Sequence, residues 1–184
     1  SIEETIEFCE VTQPSTFFKL DAIRKVHGVS EDLHYIFDGE MWVKLLLQYG
    51  QSHFVKIKTV LVNFRLHSDS KTVSNNLVNN FLFERSSIIA DFQRFVGIPE
   101  NIVSFYILDI YKSPTVYRLG RNWVINKSII TKRKLRSWFI QKYVNEQFRR
   151  KDYSKAFSGI KQLIINKSFD LNLLKNLLKL IKRY

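Results

Sequence analysis

FDGEMWVKLLLQYG, residues 37–50, places its apolar side chains at the spacing of a helix. The positions that recur at steps of three and four are Trp42, Leu45, Leu46 and Tyr49. This pattern predicts an amphipathic helix over residues 37–49, ended by Gly50. Asp38 and Glu40 lie in its first turn, where the helix dipole stabilises negative charge by about 0.3–1 kcal/mol. A carboxylate held there beside a cleft can also act as a general base, so both explanations remain open.

Two apolar stretches on either side of this helix predict β-strands. STFF, residues 15–18, follows Pro14 and has the length of a short buried strand. HFVKIKTVLVNFRLH, residues 53–67, alternates β-branched residues with lysines before a continuous apolar run. It predicts one strand, or two joined by a bend. Between these stretches, residues 20–26 predict a helix closed by Gly28.

Beyond residue 75 the β pattern ends and helical periodicity takes over. The predicted helices cover residues 77–96, 100–112, 115–126, 132–150, 153–166 and 171–183. Glycine, proline or capping residues interrupt the pattern between them. The sequence therefore predicts an α+β class that is predominantly helical, with a partial α/β segment at residues 1–75 and an all-α region at residues 76–184.

The composition is that of a folded protein, since 45% of the 184 residues are hydrophobic and 14% are aromatic. Cys9 is the only cysteine, which excludes an internal disulfide and a multi-cysteine zinc site. The sequence has no run of about 18 apolar residues and no basic stretch typical of a signal peptide. We therefore expect a cytoplasmic protein. The first residues resemble mid-domain sequence, so we also expect a fragment of a longer chain.

The net charge of +12 comes entirely from the last third of the chain. Residues 1–130 contain 14 Lys or Arg and 14 Asp or Glu, whereas residues 131–184 contain 15 and 3. A solvated, basic helix face is the simplest explanation. Peripheral attachment of residues 131–184 to an anionic membrane, at its inner face, is the second interpretation. Nucleic-acid binding is the least favoured, because no recognisable module accompanies the charge.

His67 closes the predicted strand and is followed by a polar turn. A histidine in this position can bind a metal ion or contact a phosphate, because its imidazole is neutral and coordinating near pH 7. A surface histidine is the simpler interpretation of the position alone. The four histidines form no HxxxH or HxH pair that would indicate a metal cage.

Residues 13–72 carry several unlike motifs in a fixed order: QPSTFF at 13–18, LHY at 33–35, FDGEMW at 37–42 and FRLH at 64–67. This order resembles the second half of the catalytic domain of family 2 glycosyltransferases. In that family QP(A/S)TFF is followed by a helix, a GFDE turn, LHY, DYDLW and a strand that ends in R-x-H. The resemblance implies a GT-A fold that binds a nucleotide-sugar donor and activates an acceptor hydroxyl beside it.

The resemblance also assigns roles to individual residues. Asp38 falls on the catalytic-base aspartate, and Glu40 falls on a second acidic position with a supporting role. His67 falls on the histidine that in many such enzymes helps to hold a divalent metal, Mg²⁺ or Mn²⁺, on the donor diphosphate. The residues expected at the substrate are Gln13, Pro14, Ser15, Thr16, Trp42 and Arg65. For the tryptophan, packing of the helix is the other interpretation.

Two departures from the family pattern bear on these roles. Gly39 stands where the family has tyrosine, and glycine loosens the loop that aims Asp38. The donor-binding half, with its DxD motif, is absent from residues 1–184. We therefore expect a fragment, inactive alone, of an inverting glycosyltransferase that acts on a saccharide or lipid-linked acceptor. The rival interpretation is a non-catalytic helical interaction domain for an anionic membrane surface or a partner.

Overall fold

The computed structural model describes residues 2–8, 11, 13–63, 65, 71, 77–113 and 120–166. The α-helices are α1 (Ile2–Phe8), α2 (Leu20–Lys25), α3 (Phe37–Tyr49), α4 (Val78–Val96), α5 (Glu100–Phe105), α6 (Lys132–Arg149) and α7 (Tyr153–Ile165). Short 3-10 turns lie at Gln13–Ser15 and Gln51–His53, and a π-helical turn, Tyr106–Ile110, extends α5. None of the described helices is both long and apolar enough to cross a lipid bilayer.

The described residues contain no β-strand, so the predicted partial α/β segment of GT-A type is wrong and the class is helical. The stretch at residues 15–18 begins at the last residue of the 3-10 turn Gln13–Ser15 and is irregular beyond it, with Phe17 77% exposed. The other predicted strand, residues 53–67, starts in the 3-10 turn at Gln51–His53. Its residues 54–63 are irregular, with Val55 84% exposed and Val60 82% exposed.

Strand propensity in these two stretches is not sufficient to make a sheet. β-branched residues favour strands because they fit a pleated, half-buried surface, and that surface exists only when neighbouring strands pair. A strand also needs a partner for its backbone N–H and C=O groups. Within the described residues neither stretch has a neighbouring strand to pair with, so the alternating pattern does not form a β-strand there.

Helix α3 confirms the helix predicted from residues 37–50 at both ends. Of the predicted apolar positions, Trp42, Leu45 and Leu46 are buried. Gly50 ends the helix at φ 75°, a left-handed conformation that favours glycine. A Cβ at this position would lie 2.9 Å from Ile129 Cγ2, so the packing of Ile129 also requires a glycine.

The helices predicted at residues 20–26, 77–96, 100–112, 132–150 and 153–166 are confirmed, and their ends agree within two residues when the π-helical turn is counted with α5. The helix predicted at 115–126 is wrong for its described part, residues 120–126, which is not helical. Gly120 has φ 61° there, and its N–H is bonded to the Asp91 carboxylate instead of to a helix carbonyl. The helix predicted at 171–183 lies outside the described residues.

One hydrophobic core joins α1 and α3 to helices α4 to α7. Fully buried side chains from five of these helices are Ile6, Leu47, Phe92, Phe139 and Leu163. A smaller cluster packs α2 against α3 and contains Val26, Met41, Trp42 and Leu45. Because α3 contributes to both clusters, the helix is held by packing on two sides.

Candidate functional site

Asp38 lies in the first turn of α3 and is half-buried. The backbone N–H of Gly39 donates to Asp38 Oδ1 at 2.8 Å, and no cation among the described residues pairs with this carboxylate. Removal from water therefore dominates and raises the pKa of the Asp38 carboxyl, against the opposing effect of the Gly39 N–H. A carboxylate of raised pKa is a better proton acceptor, as general-base catalysis requires.

Glu40, two residues later, is completely buried. Its Oε2 lies 3.1 Å from Lys44 Nζ and accepts a hydrogen bond from the Ser30 hydroxyl. Its Oε1 lies 3.1 Å from Arg121 Nε, in an ion pair that is too poorly aligned to count as a hydrogen bond. Two cations and a hydroxyl thus surround the carboxylate, and Glu40 connects α3 to Ser30 and to Arg121.

Arg121 links Glu40 to a second carboxylate. Its Nη2 lies 2.8 Å from both carboxylate oxygens of Asp32. This hydrogen bond is the main reason that the pKa of the Asp32 carboxyl is lowered. The Arg121 side chain is 13% exposed, whereas that of Asp32 is 60% exposed, so the network runs from the buried Glu40 to the surface.

Glu84 of α4 binds the chain immediately before α3. Its carboxylate accepts three consecutive backbone N–H groups, from His34 at 2.8 Å, Tyr35 at 2.7 Å and Ile36 at 2.9 Å. Ile36 is the residue that precedes α3, and its side chain offers no cap. The buried Glu84 therefore supplies, from another helix, the acceptor that this segment lacks locally.

Asp91, seven residues after Glu84 on α4, holds the loop that carries Arg121. Its carboxylate accepts the backbone N–H groups of Gly120 at 3.2 Å and Arg121 at 3.0 Å. It also accepts the indole N–H of Trp123 at 3.1 Å. Two carboxylates on one helix thus hold the two loops whose residues surround the start of α3.

A groove of about 320 Å³ lies between residues 32–35 and α4. Asn80 Nδ2 donates to the Tyr35 hydroxyl at 3.0 Å on its wall. Ser87, 1% exposed, also lines the groove, and its hydroxyl has no hydrogen-bond partner among the described residues. Asp38 itself is not one of the lining residues.

The residues predicted to contact substrate lie in different environments. Gln13, Pro14 and Ser15 are exposed in the 3-10 turn, and Thr16 donates its N–H to Gln13 O at 3.1 Å. Trp42 is 1% exposed within the cluster that packs α2 on α3, which is the packing role also considered for it. The ring of Phe18 packs on this tryptophan, with the ring centroids 6.2 Å apart. The remaining candidate, Arg65, is exposed.

The predicted metal ligand, His67, lies outside the described residues. Among the residues that are described, no three His, Cys, Asp or Glu side chains are grouped so that they could hold a metal ion. Asp38 stands without such neighbours, and Glu40 is engaged by cations. The described side chains therefore do not form a three-ligand protein site for Mg²⁺ or Mn²⁺.

The basic residues of α6 form ion pairs with other parts of the chain. The pairs that join α6 or its C-terminal cap to neighbouring elements are Lys134–Glu3, Lys142–Glu7 and Arg150–Asp109. Arg149 and Arg150 also pair with Glu146, and these hydrogen bonds lower its pKa to about 2. Within residues 131–166, internal pairing thus accounts for part of the basic pattern.

Glu84 and Arg121 were not identified from the sequence as parts of a site. A signal for Glu84 does exist, because it stands four residues before Ile88 in a series that continues through Phe92 and Val96, all buried. A glutamate at an apolar position of a helix indicates a buried carboxylate that needs donors. Arg121 has no comparable signal, since its partners are distant in sequence.

The fold and the site thus define a helical protein in which Asp38, at a helix start, is half-buried and has no cationic partner among the described residues. No protein-family model, curated protein or solved structure matches this chain. The resemblance to family 2 glycosyltransferases accordingly rests on the order of motifs in residues 13–72 and stays a prediction.

Proposed function

We propose that this chain is part of an inverting glycosyltransferase, with Asp38 as the general base. The enzyme would transfer a sugar from a nucleotide-sugar donor to a hydroxyl of a saccharide or lipid-linked acceptor. The order of motifs between QPSTFF and FRLH supports the reaction class. The donor-binding part belongs, in this proposal, to polypeptide outside these 184 residues.

The contrast between Asp38 and Glu40 is the observation that carries the proposal. Glu40 is 0% exposed and is neutralised by Lys44 and Arg121. Asp38 is reachable from solvent, has no cationic partner among the described residues and has a raised pKa. Of the two carboxylates, only Asp38 combines access to a substrate with a free proton-accepting oxygen.

The chemistry assigned to Asp38 is a single proton transfer. A carboxylate oxygen of Asp38 accepts the proton of the acceptor hydroxyl while that hydroxyl oxygen bonds to the anomeric carbon of the donor sugar. The bond from this carbon to the diphosphate oxygen breaks at the same time, and the nucleoside diphosphate leaves with the electron pair. Attack opposite the leaving group inverts the configuration at the anomeric carbon.

The test is Asp38→Asn in the complete polypeptide that contains these residues, assayed by release of nucleoside diphosphate. The donors are UDP-, GDP- and dTDP-sugars, and the acceptor is a lipid-linked saccharide. We expect turnover to fall by about 10²–10⁴-fold with folding unchanged, the usual contribution of a general base. Asp21→Asn is the matched control, because Asp21 also lies in the first turn of a helix but is 86% exposed. Near-normal turnover of Asp38→Asn would refute the assignment.

A further inference from the structure

Glu84 forms an unusual connection between α4 and the chain that leads into α3. One buried carboxylate accepts the N–H groups of three consecutive residues, His34, Tyr35 and Ile36, all within 2.9 Å. These donors lie 48 to 50 positions away in the sequence. A connection over such a distance constrains the tertiary position of residues 34–36, and not only their local conformation.

Residues 34–36 determine where Asp38 is placed. Ile36 precedes α3, and its C=O accepts the N–H of Glu40 at 3.1 Å in the first helical turn. Hydrogen bonds to one rigid carboxylate fix three successive peptide planes, so the direction in which α3 starts is fixed as well. Asp38 is the second residue of that helix.

We propose that Glu84 is a positioning residue for Asp38. By holding residues 34–36 against α4, its carboxylate keeps the first turn of α3 closed and the Asp38 carboxyl partly shielded from water. The catalytic meaning of this role rests on the proposed function, whereas the positioning itself does not.

The predicted consequence of losing Glu84 is local. In Glu84→Gln, one carboxylate oxygen becomes an NH₂ group, which cannot accept a hydrogen bond and faces N–H donors. The amides of residues 34–36 then exchange their hydrogens faster, and Asp38 becomes more hydrated. Because burial is the cause of the raised pKa of Asp38, hydration lowers this pKa toward the ordinary aspartate value.

The experiment is NMR of this chain, with and without Glu84→Gln. Hydrogen exchange of the 34–36 amides and the pH titration of the Asp38 carboxyl carbon are the two readouts. Asp152→Asn is the matched control, since Asp152 caps α7 by accepting the Lys155 N–H at 3.1 Å, and α7 packs on α6. We expect both readouts to change in Glu84→Gln and neither to change in Asp152→Asn.

An unchanged pKa of Asp38 in Glu84→Gln would overturn the proposal, even if the 34–36 amides exchange faster, because Glu84 would then be structural only. If Glu84→Gln does not fold, Glu84→Asp is measured instead, since it keeps the charge but shortens the side chain by one methylene. For Glu84→Asp as well, a changed pKa of Asp38 would support the proposal and an unchanged pKa would overturn it.

The two proposals fail separately. Neither NMR readout depends on sugar transfer, so a normal turnover of Asp38→Asn refutes the base and leaves the role of Glu84 in place. Where transfer is measured in the complete polypeptide, Glu84→Gln is expected to lower the turnover number by roughly tenfold and to leave the KM for the donor unchanged, because a misplaced base slows proton transfer alone.

Discussion

Replacing Glu40 by glutamine should destabilise the protein strongly, whereas replacing Asp38 by asparagine should not. Glu40 is 0% exposed, and Lys44 and Arg121 each lie 3.1 Å from one of its oxygens. Glutamine keeps the size of the side chain and can still accept a hydrogen bond from Ser30. It removes the negative charge and leaves two largely buried cations without this counter-ion.

The expected loss follows from the surroundings of these cations. Removing one partner of a buried ion pair costs about 3–5 kcal/mol. Arg121 retains Asp32, and the Lys44 side chain is 15% exposed and regains some water, so the cost falls at the lower end. We expect the free energy of unfolding to decrease by about 3 kcal/mol, or the melting temperature by about 6–12 °C for a chain of this size.

Asp38→Asn is the comparison two residues away in the same helix turn. The folded-state pKa of Asp38 is raised, so its ionised form is disfavoured by folding at neutral pH. The neutral asparagine relieves this cost, and stability should be unchanged or slightly greater. Urea unfolding followed by far-ultraviolet circular dichroism measures both variants. A loss of less than about 1 kcal/mol in Glu40→Gln would show that the buried network does not stabilise the start of α3.

Two further predictions concern α6 and α7. The pKa of Glu146 is lowered to about 2, so its stabilisation is complete above the ordinary glutamate pKa and is lost as pH falls toward 2. Arg149 is 67% exposed, so solvent screens its ion pair with Glu146. Between pH 5 and 2, we expect the wild type to lose about 1 kcal/mol more free energy of unfolding than Glu146→Gln, measured by urea unfolding. Equal losses would contradict this. In Gly159→Ala, the new Cβ would lie 2.6 Å from Val144 Cγ2, so overpacking outweighs the better helix propensity of alanine by about 1 kcal/mol. Thermal unfolding measures the effect, with Ser158→Ala at an exposed neighbouring residue as the control. A Gly159→Ala variant that is more stable than this control would contradict the prediction.

Helices were predictable from this sequence because their signals are local. The apolar spacing in residues 37–50 and the stop at Gly50 both lie within the helix that they define. The strands predicted at 15–18 and 53–67 depended on partners elsewhere, and the described residues 54–63 expose Val55 and Ile57 instead. A pattern with period two indicates a side of a sheet, but it does not supply the neighbouring strand. The helix predicted over 115–126 is wrong in its described part, residues 120–126, for a related reason, since Asp91 takes N–H groups that a helix would use.

The candidate site shows the same division between local and long-range information. The sequence placed Asp38 and Glu40 at a helix start, and the helix dipole alone would treat them alike. Burial separates them, because Arg121 reaches Glu40 from a distant loop and nothing comparable reaches Asp38 among the described residues. Glu84 then acts on the segment before both of them. In the proposed function, Asp38 would accept the proton while Glu40 holds the cations Lys44 and Arg121. The paired variants of Asp38 and Glu40 measure this division of roles.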